Sequence, residues 1–238
     1  NNNYDLIIAA DGSNSSTKKK LKTFSYKFDY DQICITLKVL LRGVKSNEAF
    51  EILSPDGPLA VLPLGEDLFQ IICSQSKDKA NNSIKLPSAL FLDYLSTMLP
   101  NGVIPDCIVN ERKSFPIKFL LNYSFHSGKY IYLGETSHTL HPVGGQGLNL
   151  CWRDVDTLTN LISYPFLKKH IYLLPMLYSL SRLVDVLSIS FLTDFLVRYS
   201  RSNSNIFFIP RSIIFFILKK SNITRKLVLN IMTNGICF

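Results

Sequence analysis

The sequence predicts a chain of mixed α+β and α/β class, in which a fragment of a parallel layer is combined with an antiparallel sheet and C-terminal helices. The run Tyr4–Ala10 is continuously apolar, as in a strand buried on both faces of a parallel sheet. Between residues 28 and 75, apolar runs alternate with turn sequences, which is typical of antiparallel strands. Residues 173–199 carry apolar side chains at three- and four-residue steps, the spacing of an amphipathic helix.

The first strand ends at Asp11-Gly12 and is followed by a turn and a short basic helix over residues 13–21. A parallel strand needs neighbours that are joined to it by crossover connections. Only three residues precede this strand. We therefore expect its neighbours to come from much later in the chain, or to be missing from it.

The middle of the chain predicts an antiparallel sheet. Strands are expected at residues 33–41, 49–53, 58–64 and 68–74. The sequence Ser54-Pro55-Asp56-Gly57 is a strong turn signal, and Gly65-Glu66-Asp67 is typical of a hairpin connection. Residues 76–86 are polar and predict a loop, whereas Pro87 suits the first turn of a helix over 87–99.

The second half predicts two strands and three helical segments. The strands are 115–121 and 129–135, and the helices are 146–162, 173–199 and 212–234, with Gly235 as the C-cap of the last. In the helix 173–199 the apolar stripe is formed by Leu177, Leu180, Val184, Leu187, Phe191 and Phe195. We expect this stripe to be core or to bridge domains; the alternative is that it and 206–218 form a membrane-facing surface. Cys151 and Trp152 are interpreted as packing residues.

Composition excludes several function classes. The chain has 238 residues, 47% hydrophobic and 18% charged, which is typical of a globular protein. The net charge is +8, but no basic run is interleaved with aromatic residues, so no nucleic-acid partner is predicted. A solvated basic surface, an anionic membrane surface and an anionic cofactor all remain open. Five well-separated cysteines without ligand spacing predict reduced thiols, no metal site and a cytoplasmic protein with an optional peripheral membrane contact.

Residues 129–156 hold most of the chemical information. A strand ends at Gly134-Glu135, and the glycine-rich run Gly144–Asn149 then opens a helix. The first amides of a helix and its dipole favour an anion or the electron-rich edge of a ring. Glu135 could accept hydrogen bonds from sugar or ribityl hydroxyls. On the residues alone this predicts a ligand site, and the alternative is a structural glycine-rich loop.

These residues also resemble a known family. The pattern is Gly134-Glu135-x-x-His138-x-x-x-Pro142-x-x-Gly145-Gln146-Gly147-x-Asn149, followed by Asp154. It is similar to the second flavin-binding motif of the class A FAD-dependent aromatic monooxygenases, which share the p-hydroxybenzoate hydroxylase fold. The run 139–158 is especially similar to the ubiquinone-biosynthesis hydroxylase branch. Asp11-Gly12-x-x-Ser15-x-x-Lys18 resembles the middle motif of the family, and 54–64 and 178–235 resemble further segments of that branch.

The resemblance implies a partial FAD-binding three-layer domain, an antiparallel-sheet substrate domain and C-terminal helices. The implied division is 1–27 as a remnant of the FAD-binding domain, 28–122 as the substrate domain, 123–165 as the FAD-binding segment and 166–238 as the helical region. It implies FAD as cofactor, NAD(P)H as electron donor, and hydroxylation by O2 of an apolar aromatic or quinone-type substrate.

The same resemblance assigns site residues. Those implied to bind the cofactor are Asp11, Gly12, Gly134, Glu135, Gly144, Gly145, Gln146, Gly147, Leu148 and Asn149. Pro142 is implied to line the reactive face of the flavin. His138 and His141 lie in the right loop for a base near the substrate, with His138 the candidate catalytic residue, although a loop histidine bonded to backbone is the simpler interpretation.

Three departures from the family pattern leave alternatives open. Glu135 stands where the family has aspartate, and Thr136 and Ser137 stand where it has alanines. No GxGxxG occurs anywhere in the chain, so we expect a C-terminal portion and a partner chain that carries the missing half. The alternatives are a catalytically inactive truncated or split fragment, and a flavin-dependent isoprenoid reductase or halogenase of the same fold.

Overall fold

The structure, a computed structural model, describes residues 4–201 and 220–235. Its contacts divide the chain into two units. The first comprises residues 1–28, 118–196 and 204–238, and the second comprises 29–117 and 197–203. In chain order, the second unit is therefore almost entirely inserted into the first.

The first unit contains a small sheet with the order β1-β9-β8. The strand β1 (Ile7–Ala9) pairs in parallel with β9 (Tyr130–Tyr132), and β9 pairs antiparallel with β8 (His126–Ser127). The partner of the first strand thus comes from more than 120 residues later, which is one of the two alternatives that the sequence left open. Because the two strands run in parallel, the segments that follow β1 and β9 leave the sheet at the same edge.

The larger sheet is antiparallel and has the order β10-β7-β2-β5-β4-β3, with β6 also on β2. Its strands are β2 (Ser25–Arg42), β3 (Phe50–Ser54), β4 (Gly57–Gly65), β5 (Leu68–Ser76), β6 (Ile104–Ile108), β7 (Lys113–Asn122) and β10 (His138–Thr139). The predicted hairpin is present, with Leu68 paired to Gly65 across its turn. The sequence did not predict β6, β8 or β10.

Alternation along β2 builds the core of the second unit. Ile35, Leu37 and Val39 are fully buried and pair with Cys73, Ile71 and Phe69 of β5. Side chains from α3 (Ser88–Ser96) cover this face, chiefly Phe91 and Leu95. Complete burial of each such side chain contributes roughly 1.5–3 kcal/mol relative to exposure.

The prediction of a polar loop over 76–86 is wrong, because residues Lys77–Ser83 form the helix α2. This helix is almost entirely polar, and only Ala80 and Ser83 are buried. The Ser83 hydroxyl donates to Oε1 of Gln75, 3.1 Å away. The helix is held by these few tertiary contacts, which polar composition does not reveal.

Five further α-helices lie within the described residues, all in the first unit except for the last turn of the fourth, whose residues 197–201 fall in the second unit. They are α1 (Ser16–Lys20), α4 (Gln146–Ser163), α5 (Pro165–Lys169), α6 (Leu174–Arg201) and α7 (Asn222–Asn234). The helices predicted near 146–162 and 173–199 are present, and Gly235 follows α7 with a positive φ. Residues 206–218, and the part of the predicted helix 212–234 before residue 220, lie outside the described residues.

The apolar stripe predicted on α6 does not face the core. Leu180, Val184, Leu187 and Phe191 are 44–74% exposed, whereas the buried face of the helix includes Arg182 and Asp185. Trp152 is 61% exposed, so the prediction that it is a packing residue is also wrong for this chain. No helix within the described ranges is long and apolar enough to cross a bilayer.

Candidate functional site

The strand β1 delivers Asp11-Gly12 to the edge of the sheet where β9 delivers Gly134–Thr136. The amide of Gly12 donates to Oγ1 of Thr136, 2.9 Å away, and that hydroxyl lies 3.4 Å from Oδ1 of Asp11. The two sequence motifs are therefore joined directly. The Thr136 hydroxyl, a departure from the family pattern, makes this junction.

Asp11 is exposed and points its carboxylate at the start of α1. Its Oδ2 accepts from the amide of Thr17 at 3.1 Å and from the hydroxyl of Ser16 at 3.4 Å. Desolvation opposes ionisation, but hydrogen bonds from Ser15 and Thr17 outweigh it and hold the pKa of Asp11 well below its usual range. Asp11 is therefore a fixed anion at the end of β1.

Behind this junction lies a buried lysine. Nζ of Lys18 donates to Oδ1 of Asn122 at 3.3 Å, and the amide group of Asn122 donates to the carbonyl of Thr136 at 3.2 Å. Burial lowers the pKa of Lys18 to about 8, the charge of Lys27 adds to this effect, and Asp11 opposes it. The sequence placed Lys18 in a motif but gave no signal of its burial or of Asn122 as its partner.

A tight turn forms the loop after β9. Residues Gly134–Thr136 form a 3₁₀ turn, and Gly134 has φ 60°. A β-carbon at Gly134 would lie 3.2 Å from Sγ of Cys151, so the backbone packs closely on α4. The hydroxyl of Ser137 donates to the Gly134 carbonyl at 2.9 Å. Glu135 is exposed at the tip of this turn.

The glycine-rich run forms a second turn, which leads into α4. Gly144 and Gly145 have φ 68° and 61°, a left-handed conformation that favours glycine. The amide of Gly145 donates to the carbonyl of Pro142 at 3.0 Å, and the amide of Val143 donates to Nδ1 of His141 at 3.1 Å. These bonds hold Pro142 in a fixed turn directly before the helix.

The N-terminus of α4 is open. Gly145 is its N-cap, and in the described part of the chain no side chain caps it and no acidic residue lies in its first turn. Gly147, Leu148 and Asn149 are exposed. Gln146 is buried, and its side-chain amide donates to the Gly144 carbonyl at 2.9 Å. The amides at this end of the helix are suited to an anion or an electron-rich ring edge.

The two candidate catalytic residues, His138 and Pro142, differ in their burial. The His138 ring is buried, bonded through Nε2 to Oδ2 of Asp154 at 2.8 Å and placed edge-on to Phe125. Burial opposes ionisation of Asp154, but His138 and Arg182 outweigh it and lower its pKa. Pro142 is only partly buried. The catalytic roles of both residues stay predictions.

The ion pairs around Asp154 were not predicted as a group. Arg182 bonds both Asp154 and Asp185, and Arg153 bonds Asp185. One signal existed in the sequence: an arginine and an aspartate three residues apart in an otherwise apolar helix are expected to be paired if they are buried. Among the residues that the structure describes, no cluster of His, Cys, Asp and Glu could hold a metal ion.

The residues present fit a flavin. A β-carbon placed at Gly145 or at Gly147 would meet no atom within 4 Å, so open space borders the amides of the α4 N-terminus. The exposed carboxylates of Asp11 and Glu135 follow the ends of β1 and β9. They can accept hydrogen bonds from ligand hydroxyls. The donor amides, open glycine surface and flanking acceptors match a ring edge with a polyol chain.

Comparisons with known proteins agree with this geometry. A family model described as "FAD binding domain" matches residues 3–165. The ubiquinone biosynthesis monooxygenase COQ6 of Dictyostelium discoideum is 29% identical over 66% of this chain and 40% of its own length. The 3-demethoxyubiquinol 3-hydroxylase of Escherichia coli is 25% identical over 69% of this chain and 45% of its own length.

The fold also has solved counterparts. The crystal structure of p-nitrophenol 4-monooxygenase from Pseudomonas putida superposes with a TM-score of 0.76 at 16% identity, covering 97% of this chain and 59% of the other. The chain spans about two fifths of the length of the curated relatives it matches. The predicted fold class, with its antiparallel sheet and C-terminal helices, is confirmed.

Proposed function

The chain belongs to the FAD-binding domain family that its residues 3–165 match, and from this premise we propose that it forms the flavin-ring half of an FAD-dependent monooxygenase. The substrate is an apolar aromatic of the quinone-precursor type. NAD(P)H and O2 are the co-substrates. The named relatives support this substrate class, since one is a ubiquinone biosynthesis monooxygenase and another a 3-demethoxyubiquinol 3-hydroxylase.

One observation carries the proposal: open space borders Gly145 and Gly147 at an α4 N-terminus that no described side chain caps. A bound flavin supplies the redox and oxygen chemistry. The amides at the start of α4 would hold the pyrimidine edge of the ring and favour negative charge there. A helix N-terminus stabilises such a charge by about 0.3–2 kcal/mol.

The remaining residues of the site would bind the flavin and orient it. Glu135 and Asp11 would accept hydrogen bonds from ligand hydroxyls, because both carboxylates are exposed at the ends of neighbouring parallel strands. Pro142, held by the turn to Gly145, would pack against the ring and exclude water. His138 is fixed from behind by Asp154.

Exposed apolar surface supports a second part of the proposal, a partner that carries the dinucleotide-binding half. β1 lies at the end of its sheet, and Ile8 is half exposed there. On α4, Leu148 and Trp152 are exposed four residues apart. Within the described residues, the outer edge of β1 is unpaired and this face of α4 is uncovered, and both suit a strand–GxGxxG–helix unit.

We also propose that the exposed stripe of α6, formed by Leu180, Val184, Leu187 and Phe191, makes a peripheral membrane contact. Its apolar character and the basic net charge of the chain support this. Sedimentation with anionic phosphatidylserine vesicles should retain the chain, and the double variant Leu187→Ser, Phe191→Ser should abolish retention. Equal retention of both proteins would contradict the contact.

The flavin proposal is tested by titrating the purified chain with FAD, FMN and riboflavin and following quenching of flavin fluorescence. All three contain the ring and ribityl chain. Because the chain lacks a GxGxxG, the adenylate of FAD should add little, and we expect the three dissociation constants to agree within about tenfold, or about 1.4 kcal/mol. Binding of none of them would refute the proposal. If a dinucleotide-binding half is then added, we expect the affinity for FAD to increase, whereas the affinities for FMN and riboflavin should stay the same.

A further inference from the structure

A buried ionic network lies behind residues 134–138, which we call the flavin loop. Its members are Asp154 and Arg153 on α4, Arg182 and Asp185 on α6, and His138. Nε of Arg182 donates to Oδ1 of Asp154 at 2.7 Å, and Nη1 of the same side chain donates to Oδ2 of Asp185 at 2.6 Å. Nη1 of Arg153 donates to Oδ1 of Asp185 at 2.7 Å. The two aspartates and two arginines balance in charge.

On one side, the network reaches the loop. Oδ2 of Asp154 accepts from the amide of Gly134 at 2.8 Å and from Nε2 of His138 at 2.8 Å. One carboxylate oxygen therefore fixes two points of the loop, Gly134 and His138, on either side of residues 135–137. Any rotation of the Asp154 carboxylate would release both points together.

On the other side, the network contacts the residue that ends α7. Gly235 is buried with φ 86°, and a β-carbon there would lie 2.7 Å from Nη1 of Arg153 and 2.8 Å from Oδ1 of Asp185. The C-cap of α7 is thus packed directly against Arg153 and Asp185. Arg182 is the central member, since among the residues that the structure describes only its side chain bonds both aspartates.

We propose that Arg182 is a positioning residue for the flavin loop: by bridging Asp185 and Asp154 it holds the Asp154 carboxylate on the Gly134 amide and the His138 ring, and so sets where Glu135 stands at the cofactor. The proposal rests on the proposed function for the identity of the ligand. Its structural core, the coupling of α6 to the Gly134 turn, does not depend on that ligand.

The test substitutes Arg182→Lys, which keeps the charge but loses the planar fork that reaches two carboxylates. Arg198→Lys, at an exposed position of the same helix, is the matched control. Three quantities are measured for each protein: the exchange rate of the Gly134 amide in the flavin-free chain, the dissociation constant for FAD, and the free energy of unfolding.

We expect Arg182→Lys to speed exchange of the Gly134 amide at least tenfold relative to amides of the second unit, and to weaken FAD binding at least tenfold. Arg198→Lys should change neither. A variant that is less stable but has the wild-type exchange rate at Gly134 and wild-type FAD affinity would overturn the positioning role. If the wild-type chain binds no flavin, the proposed function fails, while the exchange rate still decides this inference.

A second pair of variants applies if Arg182→Lys does not fold. Gly235→Ala places a methyl group against Arg153 and Asp185, whereas Gly102→Ala also replaces a glycine of positive φ, 89°, but meets no atom within 4 Å. We expect only Gly235→Ala to speed exchange of the Gly134 amide. Equal exchange in both variants would overturn transmission through the network.

Discussion

Asp154 and His138 share a hydrogen bond of 2.8 Å in the interior of the first unit, through Oδ2 of the carboxylate and Nε2 of the ring. The low pKa of Asp154 keeps the carboxylate ionised, so it can only accept. The proton must therefore reside on Nε2. If His138 is a base, as the sequence predicts, only Nδ1 is left for that role.

Gly147→Asp separates flavin binding from stability. The new carboxylate lies in the first turn of α4, where it stabilises the helix by about 0.3–1 kcal/mol but repels an anionic ring edge. We expect unchanged or raised thermal stability and a loss of flavin affinity of at least tenfold. Gly147→Asn, which has the same shape without charge, should bind flavin more tightly than Gly147→Asp. Equal affinities would show that the helix N-terminus does not contact the ligand.

Asp154→Asn tests the buried network. Removal of one charge leaves Arg182 partly uncompensated, and we expect a loss of about 3–5 kcal/mol in the free energy of unfolding, measured with urea. Asp156→Asn, at an exposed position of the same helix, should change it by less than about 0.5 kcal/mol. A similar small change for both would mean that the network contributes nothing to stability.

A comparison of the wild type with Asp154→Asn also tests how the unfolding free energy depends on pH. The pKa of Asp154 is lower in the folded chain than in the unfolded chain, so its stabilisation is present above the unfolded value of about 3.9 and is lost as pH falls through the folded value. The difference in unfolding free energy between the wild type and Asp154→Asn should therefore become smaller as the pH is lowered. A difference that is constant with pH would contradict this assignment.

Thr136→Val removes the hydroxyl that joins the two motifs but keeps the side-chain shape. The Gly12 amide then loses its acceptor, and we expect a loss of about 1–3 kcal/mol in unfolding free energy together with weaker flavin binding. Thr159→Val, at an exposed position on α4, is the control. If Thr136→Val matches the control in both measurements, the junction has no energetic role.

Lys18 predicts that stability rises with pH in the alkaline range, in the same sense as the Asp154 effect in acid. Its pKa is lowered from 10.5 to about 8 on folding, so the unfolded chain binds more protons between these values and stability rises with pH across that window. The rise is on the order of 1.4 kcal/mol for each unit of displacement. Lys18→Met should remove the rise and Lys19→Met should keep it, as measured by urea unfolding from pH 7.5 to 10.5.

Local sequence patterns were sufficient to predict strands and helices that pack regularly against their neighbours. The β-rich run over 33–41 predicts part of β2, and the three- and four-residue spacing of apolar residues predicts α6. The same reasoning chose the wrong face of α6, because the helix is apolar on both sides and its buried face holds Arg182 and Asp185. Hydrophobicity alone cannot show which of two apolar helix faces is buried.

For the candidate site, the motifs identified which residues lie near one another, since Asp11-Gly12 and Gly134–Thr136 do meet. They could not identify Asn122 or Asp185. Each of these owes its role to a partner that is more than 30 residues away, Lys18 and Arg153 respectively. The Lys18–Asn122 and Arg153–Asp185 pairings arise from tertiary packing, whereas the three-residue spacing of Arg182 and Asp185 is a local signal for their own ion pair.

The register of Ile7–Ala9 on Tyr130–Tyr132 sets an order of events during synthesis. The ribosome must extend the chain through residues 29–117 of the second unit before β1 finds its partner, and closing so long a loop is slow. The antiparallel core around Leu37 can fold in the meantime. Pausing or truncation of translation before residue 130 would consequently yield a folded insert flanked by an unstructured start, which is a substrate for proteolysis.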